Sequence, residues 1–262
     1  MTKIRRYTIP SAAALVVAAG LGLATAPAQA ALVTYTNCAS TSFCTMTELL
    51  AGGSISVDED GNGTIEKVFK DWTNYDFTKN PGANPVADPQ ANIRVSATGT
   101  YIPGVSGSAT LNYTIVGGLN IAPPSGTANW GANIVFDFTV TSAGYVPMVK
   151  RMDALTGASV TSPITGAPSS VVFNGADITG NSTATPGSPA TDTMTFPETN
   201  SYLAMNSLSL LARRTPTVAG TASVTSFSQT FTQVVIPEPG TVVGLLAVGG
   251  LGLAMKRRQK DN

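Results

Sequence analysis

The residues best placed to do chemistry form one short run, Asp58-Glu59-Asp60-Gly61-Asn62-Gly63-Thr64-Ile65. It sets oxygen-bearing side chains at positions one, three and five, glycine at six and a β-branched residue at eight, which is how a calcium-binding loop begins. Asp58, Asp60 and Asn62 are the candidate ligands. The twelfth position of such a loop should be a bidentate Glu, and here it is Phe69; Glu66 stands at nine and Asp71 lies two beyond the end. A strand-like segment, not a helix, precedes the run. The competing reading is a polar hairpin turn, because Asp-Gly and Asn-Gly supply the positive φ that tight turns require. The residues favour the turn, and calcium here would be bound weakly and structurally.

Other chemistry finds less support. The 262 residues include no histidine, so neither a Ser-His-Asp nor a Cys-His nucleophile can be assembled. Paired carboxylates of the glycosidase kind need only two acids across a cleft. Asp137 is the best candidate, but it alternates with Phe136 and Phe138, and the plain reading is the solvated face of a strand. No catalytic residue is assigned. Trp72, Tyr75, Phe77, Tyr101, Tyr113 and Trp130 could build a sugar-binding platform; aromatic residues of this kind more often fill a core. Cys38 and Cys44 are the only cysteines. In an oxidising compartment an even count reads as a disulfide, closing a small loop near the start of the domain.

The elements that must position these residues are mostly strands. Residues 54–57, 93–101, 111–116 and 134–140 alternate with a period of two, and in the last of these Ile134, Phe136, Phe138 and Val140 share one face. Further strands are expected at 145–150, 170–173, 208–213 and 222–235. Thr45 can cap one short helix over 45–50, which Gly52-Gly53 ends. Asn80-Pro81-Gly82, Gly117-Gly118 and Pro123-Pro124-Ser125-Gly126 read as turns, and 181–193 as a long exposed loop. Short strands with turn chemistry between them predict a mainly β protein, an antiparallel β-sandwich with Ser/Thr-rich outer faces, a jelly-roll-like arrangement being one option.

Both ends are set aside as processing segments. Residues 1–30 carry Lys3, Arg5 and Arg6, an apolar run over 12–26, and a small-x-small cleavage site at Ala28 and Ala30: a signal peptide. Residues 31–235 form the exported domain. At the C-terminus, Pro237-Glu238-Pro239 precedes an apolar segment over 241–255 and a basic tail over 256–260 that includes Lys256, Arg257 and Arg258. The apolar segment, expected to be helical, is short for a stable span, and the basic tail would stay cytoplasmic. With the ends removed, eight basic residues face thirteen acidic ones, a net charge near −5. That balance argues against nucleic acid as a partner.

The three C-terminal parts, in this order, resemble the PEP-CTERM sorting signal of Gram-negative bacteria. The resemblance implies recognition by an exosortase, a multispanning membrane cysteine protease often found beside exopolysaccharide secretion. Cys38, Leu49-Leu50 and Ala51-Gly52-Gly53-Ser54-Ile55 also resemble a loose group of PEP-CTERM proteins that has no established activity to carry over. The expectation is a non-enzymatic surface or extracellular-matrix protein, held transiently in the inner membrane and then sorted outward. The alternative is a calcium- or glycan-binding module on the same signal, with exopolysaccharide as a partner; a glycan-active enzyme is third.

Overall fold

A computed structural model describes residues 30–80, 87–102, 105–123, 129–143, 147–163, 169–176, 181–184 and 191–234. The signal peptide, apart from Ala30, and the whole sorting segment from residue 235 lie outside that set. Among the described residues no helix is long and apolar enough to cross a membrane.

The strands are β1 (Leu32–Thr36), β2 (Cys44–Thr45), β3 (Ser54–Asp58), β4 (Lys67–Lys79), β5 (Ile93–Ile102), β6 (Ser106–Ile121) and β7 (Asn129–Ser142). They continue with β8 (Met148–Ala154), β9 (Ala158–Thr161), β10 (Ser170–Ala176), β11 (Asn181–Ala184), β12 (Thr191–Thr199), β13 (Ser201–Arg213) and β14 (Thr221–Val234). One sheet runs β1-β3-β4-β7-β13-β10-β11 and the other β12-β8-β14-β6-β5-β2, with β9 also on β14. Every pairing is antiparallel. The expected sandwich is therefore what the chain forms.

The sheets meet through their alternating apolar faces. Ile134, Phe136, Phe138 and Val140 of β7 are all fully buried, as the period-two pattern requires. Rings from the two sheets interlock: Phe69 on Phe231 at 5.7 Å, Tyr113 on Phe136 at 5.5 Å and Phe173 on Phe227 at 4.7 Å between centroids. Edge-to-face and offset contacts of this kind add to the area they bury. Trp72, Tyr113 and Trp130 lie in this core, which removes them from any surface sugar platform.

The predicted helix is α1 (Met46–Leu50). Thr45 Oγ1 accepts from Glu48 N at 3.3 Å while Glu48 Oε2 accepts from Thr45 N at 2.7 Å, a reciprocal capping box. Glu48 Oε1 also accepts from Ala39 N at 2.8 Å, which ties the helix to the loop closed by the Cys38–Cys44 disulfide.

Three expectations are corrected. Gly117-Gly118 is not a turn but lies inside β6, with φ of 83° and 69°, where the ladder to β14 shifts register. Residues 181–193 are not one loop, since β11 and the start of β12 fall within them. Of the strand expected at 145–150, residues 148–150 open β8, which runs on to Ala154, while 145 and 146 lie outside the described residues. Strands β1, β9 and β12 and the whole of β4 were not predicted. Asp71 and Asn74 adopt φ of 55°, and the register to β7 slips at each. The first bulge, at Asp71, turns Trp72 inward where strict alternation from Phe69 would bury Asp71.

Candidate functional site

The β3–β4 connection, residues 59–66, holds the predicted acidic turn. Glu66 N donates to Val57 O at 3.0 Å and closes the hairpin. Gly61 and Gly63 take φ of 71° and 93°, so the turn chemistry is as expected. Asp58 organises the loop: Oδ1 accepts from Gly61 N at 2.6 Å and Asn62 N at 3.2 Å, and Oδ2 accepts from Gly63 N at 2.7 Å. Asp60 Oδ1 accepts from Asn62 N at 3.0 Å, and Asn62 Oδ1 accepts from Thr64 N at 2.7 Å.

The loop brings one carboxylate of Asp58, of Asp60 and of Glu66 within 4.8 Å of one another. Glu66, which falls at the ninth position of the motif, therefore joins the acids that the spacing nominated. Phe69, at the twelfth, is buried in β4 and takes no part. Asn62 directs its amide at Asp60 Oδ2, 2.8 Å away, and serves the turn. Burial pushes the Glu66 carboxyl above its ordinary value, and the Asp60 and Asp58 charges push it the same way against the Glu59 N–H. The three acids form a polar, part-buried cup open to hard cations in its donor chemistry.

Directly beneath the loop, the next two side chains turn into the sandwich. Glu59 and Lys67 form an ion pair with no side-chain exposure on either side. Lys67 Nζ also donates to Gln233 Oε1 on β14, 166 residues away and in the opposite sheet. Glu59 Oε2 is buried with no hydrogen-bond partner among the described residues. Gly107 on β6 lies opposite Gln233, and a methyl group there would collide with Glu59 Oε2 and Gln233 Nε2. The space these groups occupy exists because residue 107 has no side chain. Burial pushes Glu59 up to about 7 against the pull of Lys67, and burial lowers Lys67 against the pull of Glu59.

A second polar centre lies further along β14. Arg151 Nε donates to Asp153 Oδ1 at 2.9 Å, and its Nη2 donates to Asn206 Oδ1 at 2.5 Å. Gln229 Nε2 donates to Asp153 Oδ1 at 3.1 Å and to Asn206 Oδ1 at 2.7 Å, while Gln229 Oε1 accepts from Tyr113 Oη at 2.7 Å. Asn206 Nδ2 finishes the chain on Phe136 O at 3.1 Å. Phe231 sits between the two centres, with the Arg151 guanidinium 5.9 Å from its ring centroid.

Neither buried centre was nominated from the sequence. The signal was present: Gln229 and Gln233 are in phase with Phe227 and Phe231, and Lys67 is in phase with Phe69, so all three belong to the inward face. Asp137 lies on the outer face, part-exposed, accepting from Asn74 Nδ2 at 2.7 Å. An open groove beside the ends of β4, β7 and β13 is lined by Thr78, Lys79, Asn80, Asn133 and Ser209, with no carboxylate among them.

Residues 235–258 match the family model described as the PEP-CTERM protein-sorting motif. The chain thus carries that motif, which implies exosortase processing, export and a sorting step through the membrane. No curated protein matches the chain.

Proposed function

We propose that residues 31–235 are the non-enzymatic cargo of the PEP-CTERM signal, a structural protein of the cell surface or extracellular matrix of a Gram-negative bacterium. One observation carries this reading: the matched motif begins at the residue after β14, so the sandwich is complete before the address starts. In support, the charged groups inside the sandwich are paired with one another. Exosortase acting on Pro237-Glu238-Pro239 would free the domain from its inner-membrane intermediate and remove Lys256, Arg257 and Arg258 with the tail.

Glu238→Ala tests this. The variant should accumulate in the inner membrane, while mature wild-type protein should lack the basic tail by mass spectrometry. A surviving tail over 256–260 on surface material would overturn the reading.

A second reading, a calcium- or glycan-binding module, is favoured by the convergence of Asp58, Asp60 and Glu66 in one loop. Calcium would there be structural, pinning the β3–β4 hairpin. The glycan would be the host's own exopolysaccharide, met by the Ser/Thr-rich outer faces. Calorimetric titration of the chelator-treated protein with calcium, and separately with that polysaccharide, decides it; heat in neither titration rejects the module.

A further inference from the structure

We propose that Lys67 and Gln233 become joined by an intramolecular amide bond, formed by the folded protein itself with Glu59 as proton carrier. Three side chains from three separate places in the chain meet in one buried pocket: Glu59 after β3, Lys67 at the start of β4 and Gln233 near the end of β14. They are 1%, 0% and 2% exposed. Lys67 Nζ touches both a carboxylate oxygen of Glu59 and the amide oxygen of Gln233. The nucleophile is therefore already against the side-chain amide, with an acid–base group beside both.

The arrangement is uncommon for a merely structural lysine. A buried ammonium needs several acceptors, and a carboxylate needs its remaining lone pairs satisfied. Here Glu59 Oε2 has no donor among the described residues, and it and Gln233 Nε2 both border the space left at Gly107. A carboxylate oxygen with no other donor, bordering the same space as the amide nitrogen, is the group that can carry to that nitrogen the proton it needs to depart.

The step balances with these groups alone. Lys67 Nζ, the ammonium of the ion pair, passes one proton to Glu59 and attacks Gln233 Cδ as the amine, forming the new carbon–nitrogen bond. Glu59 carries that proton to Nε2 as the Cδ–Nε2 bond breaks, the second proton shed by Nζ follows the same route, and the leaving nitrogen departs as ammonium. Glu59 ends as it began, so it is catalytic and not consumed. No oxidant, cofactor or second protein enters. Holding the reactants in contact replaces the entropy cost of a bimolecular encounter, and exclusion of water protects the product amide from hydrolysis.

The bond would lock the first sheet to the second at the last described turn of chain before the sorting motif. Tension applied at the C-terminus would then pass from Gln233 directly to Lys67, 166 positions earlier, and the chain between them would be spared the load.

Mass spectrometry of the full chain, purified from cells with its disulfide intact, tests the proposal. The expected mass is lower than the disulfide-bonded sequence by one ammonia, and a digest should yield a branched peptide joining Lys67 to Gln233. Glu59→Gln keeps the side-chain shape but removes the proton carrier, and should return the full unlinked mass. An unlinked wild-type mass overturns the proposal. So does loss of one water with a Lys67–Glu59 peptide, which would place the bond on the carboxylate and leave Gln233 as a bystander.

Discussion

Replacing Arg151 with Met takes from the buried Asp153 carboxylate the guanidinium it is paired with. Arg151 and Asp153 are both 0% exposed and 2.9 Å apart. Without the guanidinium, the Asp153 carboxylate keeps only the Gln229 amide among the contacts described above. Removing one member of a buried ion pair costs about 3–5 kcal/mol, chiefly because the other charge is left uncompensated. At about 2–4 °C per kcal/mol for a domain of this size, the melting temperature should fall by about 6–20 °C.

The double variant Arg151→Met, Asp153→Leu should recover much of that loss. Gln229 Nε2 still reaches Asn206 Oδ1, and Tyr113 still reaches Gln229 Oε1, so the surviving network has partners. Substituting apolar residues for both members of a buried pair is often neutral, so the double variant should lie within about 2 kcal/mol of wild type. Urea denaturation of the four proteins gives the coupling energy directly. The reasoning fails if Arg151→Met costs less than about 1 kcal/mol, or if the two changes simply add.

Two further outcomes follow from the other centre and the turn above it. Glu59 titrates near 7 in the folded protein and near its ordinary 4.5 in the unfolded chain, so the folded state holds more protons between those values. Stability should therefore fall as pH rises through that window, by roughly 1–3 kcal/mol after allowance for the opposing Lys67 and the neighbouring Asp60 and Glu66. Glu59→Gln should flatten that slope in melting scans; an unchanged slope would show that Glu59 titrates normally. Gly107→Ala forces a methyl group onto Glu59 Oε2 and Gln233 Nε2 and should cost about 1–3 kcal/mol by overpacking, so a variant melting with wild type would refute the packing described.

What could be read in advance depended on how regularly each strand alternates. The β7 strand was legible because Ile134 to Val140 alternate without interruption and every apolar residue faces inward. In β4 the alternation is broken twice, at Asp71 and Asn74, and no period-two count survives two bulges. The 181–193 stretch looks like a loop because β11 is built of small polar residues and β12 buries only Met194. The acidic turn was visible because its residues are neighbours in sequence. Glu66 was discounted because the pattern wanted an acid at position twelve, whereas hairpin closure brings in position nine. The Lys67–Gln233 contact spans 166 positions and exists only once the sheets are stacked; composition and local spacing carry no trace of which lysine meets which glutamine.

The register of β14 shows why charged and amide groups are built into an otherwise apolar interior. Its sequence Phe227-Ser228-Gln229-Thr230-Phe231-Thr232-Gln233 alternates so evenly that a slip of two residues would keep every outward Ser and Thr outward. Apolar burial alone would penalise that slip only through the size of the rings. The polar partners penalise it far more. A slip of two sets Phe231 against Lys67 and Glu59 and leaves both charges without the amide, while a phenyl ring meets Arg151, Asp153 and Asn206. A slip of four restores a glutamine at one centre but draws Thr225 to the other, where the amide that bridged Tyr113, Asp153 and Asn206 is gone. Each misplaced centre leaves buried polar groups without their amide partner, at about 1–3 kcal/mol for each group, a sizeable fraction of a domain's net stability. The two centres, one on each side of Phe231, therefore admit a single register. That register places Val234 beside Ser106 and delivers the sorting motif at a fixed point on the sandwich.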